Sequence, residues 1–338
     1  MSVSSDRAAV IGAGSWGTAL AVHLAGTGRP VTLWGFEPDL VDEMNRRRAN
    51  PTYLPDVTFP GSLHATNAFA KALAGARFVV IAVPSHALRS VLRQAVSSIP
   101  GNAIVVSATK GIETDSLLRM SEVIREEVGG GHPIVALSGP SFAAEVARRC
   151  PTALVAASED ADAVAAVQAE FKSDYFRLYG SSDITGVELG ASLKNIIAIG
   201  AGVVESLELG HNAMSALITR GLAEISRLAC AMGGRRETLA GLSGLGDLVL
   251  TCTGSLSRNR HVGLELGRGR SLHDILAGMK MVAEGVNTTA AALALGQRYG
   301  VELPIMAEMA EVLAGRRTPR EAVGCLMLRP QRGEWETV

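Results

Sequence analysis

One stretch near the start of the chain constrains the fold more than any other. Ala8-Ala9-Val10-Ile11 reads as a strand, Gly12-Ala13-Gly14-Ser15-Trp16-Gly17 as a glycine-rich turn, and Thr18 to Leu24 as a helix. A GxGxxG run alone carries little weight. Between a strand and a helix, opening a βαβ unit, it has the context that dinucleotide binding requires. Gly12 permits the tight turn, Gly14 lets the backbone approach a pyrophosphate, and Gly17 lets helix and strand pack closely. The helix N-terminus then offers free N–H groups and a partial positive charge to the phosphates.

The first half continues in the same style. Further strands are predicted at Val31–Gly35, Phe78–Val83, Ile104–Ala108, Ile134–Ser138, Ala153–Ala157 and Phe176–Tyr179, with helical stretches such as His86–Val96 and Ser116–Glu127 between them. Nearly continuous apolar runs alternating with helices predict a mostly parallel, doubly wound sheet buried on both faces. After about Gly186 no clear strand follows. Helical patterns occupy Val187–Leu207, Ala213–Met232, Arg258–Gly267, Glu284–Tyr299 and Met306–Ala314. The expectation is an α/β, Rossmann-like doubly wound N-terminal domain over residues 1–185, then an all-helical C-terminal domain over 186–338. Gly180 to Asp183 is the expected joint, and 329–338 reads as a polar tail.

Composition limits the classes of function. With 32 Lys+Arg against 33 Asp+Glu, the net charge of −1 shows no basic excess for a nucleic-acid partner. A chain that is 47% hydrophobic and 19% charged is not a disordered one. Cys150, Cys230, Cys252 and Cys325 are scattered and read as reduced thiols, and the histidines show no metal-ligand spacing. The short segment from Met1 to Asp6 leaves no room for a signal peptide, and the apolar run Ile196–Val204 is far below the ~20 residues of a membrane span. The expectation is a soluble, cytoplasmic protein with no metal.

Phe36 and Glu37 follow the second strand, with Glu37 about 20 residues past the glycines, where an acid binds the ribose 2′-OH of NAD. An NADP site would prefer Arg there. Arg46-Arg47-Arg48 lies downstream, although its plainer reading is a solvated helix face. The choice between NAD(H) and NADP(H) stays open, leaning toward use of both.

The loops after strand C-termini, Val83-Pro84-Ser85-His86, Thr109-Lys110-Gly111 and Ser138-Gly139-Pro140-Ser141, lie at the edge where open α/β sheets bind ligands. Lys194 and Asn195 sit inside an otherwise apolar helix. Desolvation there lowers a lysine pKa toward neutrality, as a general acid or base requires; the plainer reading is a lysine that snorkels to solvent. Asp247, in a glycine-rich apolar stretch, is a costly carboxylate unless paired, and Lys194 is the candidate partner. Ser257-Arg258-Asn259 opens a helix where hydroxyl, guanidinium and backbone N–H groups suit a phosphate dianion. An ordinary Ser N-cap beside a surface Arg would look the same.

Taken together, these residues make the sequence resemble the bacterial-type NAD(P)-dependent glycerol-3-phosphate dehydrogenases, from Val10 to Leu328. The resemblance rests on IGAGSWGTALA (11–21), VPSHALRSVL (83–92), ATKGIE (108–113), SGPSFAAEVA (138–147), GASLKNIIAIGAG (190–202), ITRGLAE (218–224), GLGDLVLTCTGSLSRNR (244–260) and VAEGVNT (282–288). It implies reversible reduction of dihydroxyacetone phosphate to sn-glycerol 3-phosphate, the backbone of phospholipids, by a homodimer. Lys194 matches the family's catalytic lysine, with Lys110 nearby and Asp247 holding it. The positions matching substrate contacts are Lys110, Gly139, Ser141, Lys194, Asp247, Ser257, Arg258 and Asn259. Those matching cofactor contacts are Ser15, Trp16, Tyr53, Lys110, Ala143, Arg258, Val282 and Glu284. Phe36 and Glu37 stand where many relatives carry a basic residue or His, and Phe36 can still stack near the adenine.

Two other readings remain. β-Hydroxyacid and 6-phosphogluconate dehydrogenases share a helix-borne lysine but take carboxylate substrates; the SRNR helix start and the GLGDLVLTCT stretch favour the phosphorylated triose. A non-catalytic dinucleotide sensor would lack the lysine or its surroundings, whereas Lys194, Asn195 and Asp247 are all present.

Overall fold

The computed structural model describes residues 7–279, 281–331 and 333–334. The segment Met1–Asp6 and half of the expected polar tail therefore lie outside the described residues. The chain divides into two compact units: residues 1–109 with 120–184, and residues 110–119 with 185–338.

The first unit is built on ten strands: β1 (Arg7–Ile11), β2 (Val31–Trp34), β3 (Ala49–Asn50), β4 (Leu54–Thr58), β5 (Leu63–Thr66), β6 (Ala76–Ile81), β7 (Ile104–Ser107), β8 (Ile134–Ser138), β9 (Thr152–Ala157) and β10 (Phe176–Ser181). Eight of them form one sheet in the order β10-β9-β8-β7-β6-β1-β2-β5, while β3 and β4 make a separate antiparallel pair. Seven helices accompany the strands: α1 (Ser15–Gly26), α2 (Pro38–Arg47), α3 (Phe69–Leu73), α4 (Leu88–Ala95), α5 (Met120–Val128), α6 (Ala143–Ala147) and α7 (Ala161–Phe171). β1 lies between β2 and β6, pairing Val10 with Leu33 and with Val80. Chain order reverses at β1, so the glycine turn after it opens at the switch point where such sheets take their ligands.

The sheet is mostly parallel, as expected, with β8 pairing β9 antiparallel. Other expectations need correction. β10 runs on through Ser181, into the expected joint. The helix expected at Ser116–Glu127 begins only at Met120. The one expected at His86–Val96 is a 3₁₀ turn over Ser85–Ala87 followed by α4.

The second unit is helical among its described residues: α8 (Ile184–Ser206), α9 (Gly210–Ala231), α10 (Arg236–Leu239), α11 (Asp247–Thr253), α12 (Arg258–Gly267), α13 (Leu272–Ala277), α14 (Glu284–Tyr299), α15 (Pro304–Leu313) and α16 (Pro319–Met327). α8 is its axis. At 23 residues this helix is long and apolar enough to cross a membrane by composition, yet its most apolar window is wholly buried within the protein. Leu189, Leu193, Ile196, Ile197 and Ile199 of α8 join the unit's core.

Small residues let backbone come against α8. A Cβ on Gly263 of α12 would stand 1.9 Å from the Ile199 carbonyl oxygen, and one on Gly202 would stand 2.0 Å from that of Arg260. Glycine is required where these helices cross.

Candidate active site

In the first unit the turn after β1 is shaped by contacts that exclude side chains. A Cβ on Gly17 would lie 1.9 Å from the Gly12 carbonyl oxygen, and Gly12 itself has φ +114°. Gly14 is the N-cap of α1, so no side chain caps the helix's first turn. Around it, nothing lies within 4 Å of where a Cβ would be. A helix start with no side-chain cap and open space beside Gly14 fits a dinucleotide pyrophosphate.

Neighbouring groups complete this region. Ser15 Oγ donates to the Tyr53 carbonyl at 2.8 Å. Trp16 and Ala143 pack in one apolar cluster with Ala19, Leu54 and Val57. Burial, and then the charge of Glu37, raise the Tyr53 pKa, which places that carboxylate near the Tyr53 ring. Phe36 is 74% exposed and meets Trp34 edge-on. Gly139 and Ser141 form the turn after β8, where Ser141 Oγ donates to the Gly139 carbonyl at 2.9 Å.

The basic run beside this region is already engaged. Arg46 and Arg47 both pair with Glu43, one helical turn back. Arg48 caps α2 in the left-handed conformation and donates to the carbonyls of Leu63 and Pro60. Of the two sequence readings of the run, the plainer one fits these contacts.

The second unit holds the titratable cluster. Lys194 Nζ lies 2.7 Å from Asp247 Oδ1, and Lys110 Nζ lies 2.8 Å from Asp247 Oδ2. One carboxylate, 2% exposed, therefore bridges two ammonium groups. Lys194 also donates to Thr251 Oγ1 at 2.6 Å. Burial is the largest influence on Lys194 and lowers its pKa to about 8; Asp247 opposes that shift and Lys110 adds to it. The ammonium is thus poised to give up a proton near neutrality, where an ordinary lysine would not. Burial pushes the neighbouring Cys252 thiol up to about 12, leaving it protonated and inert.

Asp247 reaches this position through a turn that sequence patterns do not reveal. Leu242–Gly246 forms a π-helical turn that leads directly into α11. Such turns displace the following residue relative to a regular helix. A Cβ on Gly244 would strike the Leu239 carbonyl oxygen at 2.0 Å, so the tight turn needs glycine there.

Ser257 caps α12, accepting from Arg260 N, and Arg258 is exposed on the first turn. Asn259 is buried. Its Nδ2 donates to Asn195 Oδ1 at 3.0 Å and its Oδ1 accepts from Gly285 N at 3.0 Å. Asn259 therefore ties α8 to the start of α14, bringing Arg258, Val282 and Glu284 into one neighbourhood. Surrounding protein desolvates the Arg258 guanidinium and lowers its pKa, and the charge of Glu284 opposes that shift.

Sequence reasoning missed Thr251. Its only signal was a spacing of four from Asp247, which places both on one face of a helix once α11 is known. Among the described residues no group of three or more His, Cys, Asp or Glu could hold a metal ion.

Comparison with known proteins identifies the family. Residues 7–164 match the family model described as the NAD-dependent glycerol-3-phosphate dehydrogenase N-terminus, and residues 183–324 match that for its C-terminus. A glycerol-3-phosphate dehydrogenase [NAD(P)+] of Koribacter versatilis is 52% identical over 274 residues, covering 80% of this chain and 81% of that protein. One from Syntrophotalea carbinolica is 54% identical over 269 residues, covering 79% and 81%. The crystal structure of the Coxiella burnetii glycerol-3-phosphate dehydrogenase superposes with a TM-score of 0.92 at 41% identity, covering 96% of this chain and 99% of that one. A nucleotide turn in one unit, a buried lysine in the other and matches along nearly the whole length place the chain in the NAD(P)-dependent glycerol-3-phosphate dehydrogenase family.

Proposed function

We propose that the protein catalyses the reversible reduction of dihydroxyacetone phosphate to sn-glycerol 3-phosphate, supplying glycerophospholipid synthesis, as a cytoplasmic homodimer. The observation that carries the chemistry is the buried Lys110–Asp247–Lys194 bridge. NAD(P)H, when bound, supplies the hydride. Negative charge then grows on the ketone oxygen, and an ammonium beside it both stabilises that charge and delivers the proton. Lys194 has this role; its lowered pKa makes the proton transferable in both directions. Two lysines on one aspartate leave a net positive charge, which suits an oxyanion.

Residues 1–185 form the dinucleotide-binding part and 186–338 the substrate part, with Lys110 working beside Lys194. Gly12, Gly14, Ser15, Trp16 and Gly17 hold the dinucleotide phosphates, with Phe36 and Glu37 around its adenosine portion and Tyr53 and Ala143 as further cofactor contacts. Gly139 and Ser141 from the first part, with Ser257, Arg258 and Asn259 from the second, contact the substrate. Val282 and Glu284 border the cofactor. Oxidation of NADH and NADPH in the presence of dihydroxyacetone phosphate tests the assignment; activity with 3-hydroxyisobutyrate and none with the triose phosphate would overturn it.

Arg258 is assigned to the substrate phosphate. A charge-assisted hydrogen bond is worth about 1.5–3 kcal/mol, so Arg258→Ala should raise KM for dihydroxyacetone phosphate about 10- to 100-fold while kcat changes little. An unchanged KM means the phosphate binds elsewhere.

The engaged arginines shift the cofactor reading toward NADH. Glu37 would face a 2′-phosphate with like charge, while Arg46, Arg47 and Arg48 already have partners. We expect kcat/KM to favour NADH over NADPH and Glu37→Ser to narrow the ratio about tenfold, the effect of removing ~1.4 kcal/mol of repulsion. A hundredfold preference for NADPH in the unaltered protein would remove Glu37 from cofactor selection.

A further inference from the structure

Lys110 reaches Asp247 from a segment with its own means of attachment to the helical unit. Residues 110–119 fold back on themselves through an Ile112–Arg119 bridge and through Glu113 N donating to the Leu118 carbonyl at 2.9 Å. Ile112 is buried in the helical core and Leu117 packs against it. Leu117 has φ 62°, a left-handed conformation that a bulky side chain adopts only where its surroundings enforce it.

Two polar contacts then join the segment to α8. Arg119 Nη1 lies 2.7 Å from Glu188 Oε2, with side chains 13% and 6% exposed. Ser192 Oγ, one turn further along, stands 3.0 Å from the Gly111 carbonyl oxygen and 2.7 Å from that of Glu188, its single proton shared between them. Gly111 follows Lys110 in sequence, and Ser192 precedes Lys194 by two residues. The helix that carries one lysine thus grips the backbone beside the other.

We propose that the Arg119–Glu188 ion pair, together with the Ser192 hydroxyl, positions Lys110 on Asp247, making Arg119, Glu188 and Ser192 positioning residues for the reaction. Ile112 and Leu117 already supply apolar attachment, and a buried ion pair adds little net stability over an apolar one. Its directional contribution is to stop the segment pivoting about its apolar anchor, a motion that would swing the Lys110 ammonium off the carboxylate.

This inference rests on Lys194 as the proton donor. The groups facing Lys194 are Lys110 from this segment and Asp247, Thr251 and Cys252 from α11. Thr251 does not titrate, and the Cys252 thiol stays neutral at working pH. Withdrawing the Lys110 cation therefore removes an influence that keeps the Lys194 pKa down.

The test uses the full-length chain, with kcat for triose phosphate reduction measured against pH and Tm recorded for each variant. Arg119→Met should lower kcat about tenfold and move the alkaline limb to higher pH, the direction Lys110→Met also takes. Arg119→Lys should restore most of both. The double variant Lys110→Met/Arg119→Met should be no worse than Lys110→Met within about twofold, since Arg119 acts through Lys110. Multiplicative losses in the double variant, or an unmoved alkaline limb, would overturn the proposal. Glu188→Gln gives the same readouts if Arg119→Met fails to fold. Lys194→Ala separates the two levels: retained turnover there sinks the donor assignment itself, whereas lost turnover with multiplicative Lys110 and Arg119 effects sinks only the positioning role.

Discussion

Lys194→Ala is expected to abolish triose phosphate reduction, lowering kcat by about 10³-fold or more, while NADH affinity stays within a few fold. General acid–base catalysis contributes about 10²–10⁴, and the same substitution leaves Asp247 and Lys110 without the third member of their bridge. Cofactor affinity should survive because the glycine turn and the N-terminus of α1 are built from other residues. The unaltered protein should show the corresponding pH dependence. With the Lys194 pKa lowered to about 8, reduction needs the protonated form and should fall as pH rises through that value. Oxidation of glycerol 3-phosphate needs the neutral form and should rise over the same interval. Steady-state rates in both directions check this; near wild-type turnover in Lys194→Ala would remove the residue from the mechanism.

The largest effect on stability is expected from Gly263→Ala. Its new methyl would stand 1.9 Å from the Ile199 carbonyl oxygen, a backbone atom that cannot rotate away. Relief requires separating α12 from α8. Overpacking of a core costs about 1–3 kcal/mol and more where backbone must move, so a loss near the top of that range is expected. At about 2–4 °C per kcal/mol for a unit of this size, Tm should fall by about 10 °C. Activity should fall as well, because α12 carries Asn259, whose bond to Asn195 holds it beside Lys194's helix. Thermal unfolding with a Tm change below about 2 °C would show that the helices can part without cost.

These two positions illustrate what the sequence does and does not reveal. Lys194 was legible because a cation inside an apolar helical pattern is costly without a purpose, and the glycine turn after β1 was legible because strand, turn and helix are consecutive. The antiparallel course of β9 against β8 was not, because apolar periodicity carries no strand direction. β5, Leu63–Thr66, is short and half polar, as an edge strand tends to be, and gave no continuous apolar run. The π-turn before Asp247 reads locally as a glycine-rich loop; contact with the backbone of Leu239 shapes it. Thr251 and the Arg119–Glu188 pair depended on partners distant in sequence, 57 and 69 residues away, beyond the reach of local pattern.

The membership of residues 110–119 in the helical unit has a consequence for how the protein can be made and divided. The polypeptide leaves the sheet unit after Thr109, returns at Met120 and leaves again after Ile184. During synthesis, Ile112 and Leu117 emerge some 70 residues before the start of α8, which receives them. They must wait, apolar and unburied, until that helix is complete. A gene cut at position 185 would encode a helical half missing Ile112 from its core, Leu117 that packs against that core, and Lys110, which pairs with Asp247. The helical piece is not self-sufficient, so restoring activity from separately expressed halves would require residues 110–119 of the N-terminal piece to dock onto it.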